Sequence, residues 1–181
     1  GEKSLPFHKV IEKYLNDNPE IKLAFQPGTY QIKFGKDALA GIYKRSDLFF
    51  CNKEEAQKIL ENSEVDIKKL LRGIFLLGPK IAVITDGRDG AFVYDGENFW
   101  QMPIYPDPSA PLDRTGAGDS FSSAFTSALA LGLDIPTALR WGPVNSMSVV
   151  QQIGARAGLL TRKEIEENLA QAPVGYEPRL I

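Results

Sequence analysis

Between Asp113 and Asp119 the chain reads Asp-Arg-Thr-Gly-Ala-Gly-Asp, a bend nearly free of side chains with a carboxylate at each end. Gly116 and Gly118 let the backbone come close to a ligand and adopt positive φ, and Ala117 adds only a methyl. The run that follows, SFSSAFTSALALG, is helical in character, so the amides of the bend fall at a helix N-terminus. Such amides lack intrahelical partners and carry about half a positive charge, which suits phosphate oxygens. Asp119 would repel the same anion unless it has a task of its own. One such task is to accept the proton of a hydroxyl that attacks a γ-phosphoryl group. The structural alternative is an aspartate in a first turn that only complements the helix dipole. The spacing matches neither GxGxxG nor GxxxxGK[ST], so dinucleotide and Walker-type readings lose support.

The elements that must position this bend follow from periodicity. LPFHKVIEKYLNDN places Phe7, Val10, Ile11, Tyr14 and Leu15 at helical spacing and predicts an amphipathic helix. IKLAF predicts a short strand stopped by Gln26-Pro27-Gly28, and KDALAGIYKRS a helix. DLFFC and IAVIT predict buried strands, with KEEAQKILEN and VDIKKLLRGIFLLG as helices between them. This alternation argues for a mainly parallel sheet covered by helices. AFVYDGENFWQM predicts a hairpin turning at Asp95-Gly96, and the proline-rich PIYPDPSAPLD an extended connector. The remaining helices are DSFSSAFTSALALG, IPTALRWGPVNSMSVVQQIG and TRKEIEENLAQ, with PVGYEPRLI as a surface tail. His8 sits on a charged helix away from every motif and reads as an ordinary surface residue. Cys51 reads as a buried inert thiol, and Trp141 as core or interface.

Composition limits the function. The 181 residues, 43% hydrophobic and 24% charged, suit one globular domain with a real core. A net charge of -2 with interspersed signs offers no stripe for nucleic acid. No apolar run reaches the roughly twenty residues of a membrane span. The lone Cys51 cannot form an internal disulfide, and the first residues show no secretory leader, so the expected location is the cytoplasm.

The residues Asp113 to Asp119 closely resemble the DTxGAGD signature of the PfkB, or ribokinase-like, carbohydrate and nucleoside kinases, with Arg114 at a variable position. FFCNKEEAQKIL resembles that family's strand followed by NxxE, giving Asn52 and Glu55. IAVITDGRDGAFVYDG resembles its strand, T-x-G turn and hairpin, giving Thr85, Asp86 and Gly87. The resemblance covers almost the whole chain but only the C-terminal portion of a usual member. It implies a ribokinase-like three-layer α/β/α fold, with residues 1–181 as a single ATP-binding portion and the N-terminal substrate and lid half absent. It implies Asp119 as catalytic base and the amides of Gly116, Ala117 and Gly118 as the hole for charge on the transferred group. Asn52 and Glu55 would help place Mg2+ and its waters, and Thr85, Asp86 and Gly87 would lie along the nucleotide. Asp113 would contribute to a K+ site in potassium-activated members. Pro143 stands where many members carry Asn or His beside the adenine, which leaves Asn145, two residues on, as the candidate there. Asn52 and Glu55 also have the spacing of a capping box, and the two roles can coexist.

The expected activity is transfer of the ATP γ-phosphoryl group to a hydroxyl of a sugar or nucleoside, with the chain alone inactive or weakly active. The rival is an idle nucleotide-binding or scaffolding domain. A sheet with an uncovered edge further predicts self-association or pairing with an N-terminal half-domain.

Overall fold

A computed structural model of the chain describes residues 2–181. The strands lie in sequence order, β1-β2-β3-β4-β5-β6, in one six-stranded sheet. Two compact units divide the chain: Gly1–Thr85 with Phe92–Phe99, and Asp86–Ala91 with Trp100–Ile181.

In the first unit, α1 (Leu5–Asp17) leads to a two-residue β1 (Ala24–Phe25), then α2 (Thr29–Phe34), α3 (Ala40–Arg45) and β2 (Leu48–Asn52). Next come α4 (Lys53–Leu60), α5 (Ile67–Leu76), β3 (Ile81–Thr85) and β4 (Ala91–Tyr94). β1, β2 and β3 pair in parallel, with Asn52 level with Thr85 at the far end. Leu48, Phe49, Phe50 and Cys51 are all buried. Successive side chains of a strand point to opposite faces, so β2 is covered on both, which is why its sequence is continuously apolar. Phe49, Cys51, Ala82 and Ile84 form one core with Ala56 and Ile59 of α4 and Leu70, Leu71 and Ile74 of α5. Burial, aided by the Glu55 charge, pushes the Cys51 thiol well up, so it is the inert core thiol expected.

The first unit differs from expectation in four respects. The short α2 was not predicted, and α3 begins four residues later than the helical run KDALAGIYKRS. The apolar arc of α1 is only partly used: Leu15 is buried while Phe7, Val10 and Tyr14 are exposed. His8 is buried, at 8% exposure, instead of lying on the surface. Its Nδ1 donates to the Ser4 carbonyl at 2.7 Å, which leaves Nε2 to accept from Gln31 at 3.2 Å. A carbonyl can only accept, so the bond fixes the tautomer.

The second unit holds most of β5 (Phe99–Met102), then α6 (Ala117–Ala130), α7 (Ile135–Val150), α8 (Arg162–Ala170) and β6 (Arg179–Leu180). α6 packs along α7. The approach is close enough that a Cβ at Gly142 would fall 2.4 Å from the Phe121 ring. α7 runs through Pro143 as one helix of 16 residues. The tail is more than a surface segment: β6 pairs antiparallel with β5, and the buried Tyr176 donates its hydroxyl to the Arg140 carbonyl at 2.6 Å. The hairpin turn is also longer than a two-residue bend, with Asp95 Oδ1 accepting the amides of Glu97 and Asn98. Among the described residues no helix is long and apolar enough to cross a membrane.

The entrance ends of the parallel strands are fastened by charge. Asp47 accepts from the Leu23 amide at 3.0 Å and from Lys80 at 2.8 Å, with Lys22 and Arg45 each at 3.6 Å. Arg45 in turn donates to the carbonyls of Leu15, Asn18, Pro19 and Ile21. Partial burial opposes ionisation of Asp47, but Lys80, the Leu23 amide and Lys22 outweigh it and hold the carboxyl below its usual range. A depressed native value adds stability that is complete above the unfolded value and is lost as pH falls through the native one. Asp47→Asn should therefore cost about 1–3 kcal/mol at neutral pH and flatten the acid limb of the stability curve. Urea titrations at several pH values check both; an unchanged acid limb would remove Asp47 from this role.

Candidate active site

The bend between Asp113 and Asp119 folds as the N-terminal turn of α6. Gly116 is the N-cap at φ 84°, ψ 0°, a left-handed conformation that side chains resist. A Cβ there would also come within 2.6 Å of the Ala155 Cβ and 2.8 Å of its Cα. Glycine is therefore required twice over, by handedness and by the closeness of the neighbouring loop.

Ala117, Gly118 and Asp119 are the first three residues of the helix. Their amides are not equivalent. Ala117 N–H closes a turn on the Arg114 carbonyl at 3.3 Å, and Ser120 N–H begins the helical ladder on Gly116 at 2.8 Å. Gly118 and Asp119, both exposed, lie between these points, in the first turn of the helix. Of the expected trio of Gly116, Ala117 and Gly118, the Ala117 donor is the one engaged within the turn.

Asp113 secures the bend from the other side. Its Oδ1 accepts the Thr115 amide at 2.8 Å and its Oδ2 the Gly154 amide at 3.0 Å. Bonds from the Thr115 amide and hydroxyl, then from Gly154, hold the carboxyl below its usual range. The amides of Leu112 and Asp113 reach the Val150 carbonyl at 2.8 and 3.3 Å. The bend is thereby tied to the segment following α7 through Asp113, and touches it again at Gly116.

Asn145 lies within α7. It is buried, at 3% exposure. Its Nδ2 donates to the Ser120 carbonyl at 2.9 Å and its Oδ1 accepts the Leu160 amide at 3.0 Å. The side chain braces main chain at both ends. Beside it Ser146, which the motif reading passed over, donates its hydroxyl to the Ala117 carbonyl at 2.7 Å. Only packing of α7 on α6 brings these residues together, and no linear motif records it.

In the first unit, Asn52 and Glu55 form a complete capping box. Asn52 Oδ1 accepts the Glu55 amide at 2.8 Å, and Glu55 Oε2 accepts the Asn52 amide at 2.9 Å. With Thr85 in register, these residues gather at the C-terminal ends of two parallel strands, the end at which open α/β sheets bind ligands. In the second unit, Asp86 and Gly87 open a single 3-10 turn, with the Asp86 amide bonded to the Gly90 carbonyl at 2.9 Å. Gly90, which the motif reading did not single out, is fixed by space: a Cβ would lie 2.0 Å from the Met102 carbonyl oxygen. Among the described residues no group of three or more His, Cys, Asp or Glu side chains could hold a metal ion. Asn52 and Glu55 offer hard oxygen donors that fit a divalent ion keeping most of its waters, as Mg2+ does.

The two motif glycines should respond differently to substitution. Gly116→Ala combines left-handed strain with a backbone clash and should cost about 2–5 kcal/mol. Gly118, which is absent from the positive-φ glycines, should tolerate alanine within about 1 kcal/mol. Urea denaturation of the two variants checks the contrast, and equal losses would contradict it.

The profile of pfkB family carbohydrate kinases matches residues 23–162. The chain is 28% identical over 156 residues to a nucleoside kinase of Methanothermobacter thermautotrophicus, covering 86% of this chain and 48% of that protein. It is 33% identical over 138 residues to a cytidine kinase of Thermococcus kodakarensis, covering 74% and 48%. Among solved structures it superimposes on a ribokinase II of E. coli in complex with ATP and Mg2+, with a TM-score of 0.76, 23% identity, and coverage of 90% of this chain and 53% of that one. The chain thus spans about half the length of the relatives it matches, and it shares the ribokinase fold. On the family profile, which takes in the α6 bend together with Asn52, Glu55 and Thr85, the chain belongs to the pfkB family of carbohydrate kinases.

Proposed function

We propose that this chain is the phosphate-handling portion of an ATP-dependent kinase that phosphorylates a hydroxyl of a sugar or nucleoside. The observation that carries the reading is the first turn of α6, where the exposed Gly118 and Asp119 sit at a helix start clamped to the segment after α7. Within the Gly116-Ala117-Gly118 bend, the Gly118 amide would meet the oxygens of the transferred group, whose charge it is preorganised to stabilise. Asp119 would take the acceptor's proton as its oxygen bonds to phosphorus. The bond from phosphorus to the bridging oxygen breaks, and that oxygen leaves with the electron pair on ADP.

Thr85, Asp86 and Gly87 would run along the nucleotide. Mg2+, reached through Asn52, Glu55 and intervening waters, would supply neutralising charge to the triphosphate. The capping box serves this role without rearrangement, since it orients the same two side chains. Asp113 clips the loop by accepting a main-chain amide on each oxygen, and the acceptor capacity left on its carboxylate would serve a K+ site. Positioning of the acceptor is assigned to polypeptide beyond this chain, on the ground that the matched kinases are about twice as long. In-line transfer depends mainly on that positioning.

Calorimetric titration with Mg·ATP should give saturable binding to the chain, and Asp119→Asn should retain it. Supplied with the N-terminal portion of a matched kinase, the wild type should release ADP in the presence of an acceptor from a panel of sugars and nucleosides. Asp119→Asn should then lose about 100- to 10,000-fold in rate. Undiminished turnover in that variant would remove Asp119 as the base, and absence of ATP binding would overturn the nucleotide reading.

A further inference from the structure

We infer that Ser146 is a positioning residue that orients and polarises the peptide group on which the anion site depends; the inference rests on the nucleotide reading above for its use, but not for its geometry. The Ala117 carbonyl accepts two hydroxyls, from Ser120 at 2.9 Å on its own helix and from Ser146 at 2.7 Å on α7. That carbonyl and the Gly118 N–H are the two ends of one peptide unit. Hydrogen bonds into the oxygen draw electron density toward it and leave the attached N–H more positive, the cooperative strengthening known for chains of hydrogen bonds. Rotation of the same planar unit is also restrained, because the peptide bond is stiff and its oxygen is held from two sides.

The two hydroxyls have different sources. Ser120 is a local contact, three residues along α6, and any helix carrying serine there can make it. Ser146 reaches across from another helix and ties the plane of the Ala117–Gly118 peptide to α7. Its neighbour Asn145 holds the Ser120 carbonyl, so two successive residues of α7 grip the first turn of α6 at two points. Asn145 also accepts the Leu160 amide, which joins the approach to α8 to the same brace. Its loss would leave a buried amide without a partner, which makes it the poorer probe. Ser146 is only partly buried, so its hydroxyl can be removed at small structural cost.

The test compares Ser146→Ala with Ser146→Thr, which keeps the hydroxyl. In the ligand-free chain, NMR should show the Ala117 carbonyl carbon and the Gly118 amide shifted upfield in Ser146→Ala and little moved in Ser146→Thr. In titrations, Ser146→Ala should weaken Mg·ATP by about two- to tenfold while AMP, which lacks the distal phosphates, binds as to wild type. Ser146→Thr should restore ATP affinity. Unmoved resonances at Ala117 and Gly118, or equal weakening of ATP and AMP, would overturn the assignment. Should the wild-type chain bind no ATP, the nucleotide reading falls, and the resonances alone then decide for or against the polarised peptide.

Discussion

The grip of the segment after α7 on the bend before α6 is the constraint on which the candidate site depends. A helix start attracts anions in any protein, but the attraction is useful for chemistry only if the donors stay in place when charge develops. Here Asp113 bridges Thr115 and Gly154, and the Gly116 Cα lies so near Ala155 that no side chain fits between them. Ser146 and Asn145 then hold the first turn of α6 from α7. Apart from the local Asp113–Thr115 bond, every part of the brace is a hydrogen bond or a close approach between distant stretches of chain. The site is accordingly a product of how α6 and α7 pack, with Gly142 permitting the closeness that brings them together.

The first unit uses a different economy. Asn52 ends β2 and caps α4 in the same position, while Glu55 returns the bond from the third helical residue. The parallel pairing of β2 with β3 puts Thr85 level with Asn52. Three polar side chains are thus arranged by rules that any strand-to-helix junction obeys, and the proposed divalent-ion role adds no structural demand. That sharing explains why the capping box and the ligand reading do not compete.

What could be read from the sequence follows the range of the interactions involved. β2 and β3 were legible because burial on both faces demands unbroken apolar runs, and α5 because its buried Leu70, Leu71 and Ile74 recur at helical spacing. The glycine bend was legible because handedness and bulk are local properties. The six-residue α2 escaped because it is too short to show a period, and the two-residue β6 because its pairing partner lies about eighty positions away. Nothing in LPFHKVIEK distinguishes an outward histidine from one bonded, as His8 is, to Ser4 and Gln31. The main-chain partners of Asn145, Ser120 and Leu160, are supplied by other elements and leave no mark in its local sequence.

The most direct test of the account is a crystal structure of the chain with Mg2+ and a non-hydrolysable ATP analogue. The account requires the terminal phosphate to lie about 3 Å from the Gly118 amide nitrogen, next to the Asp119 carboxylate. A nucleotide bound elsewhere, or one whose terminal phosphate turns away from the α6 turn, would contradict it.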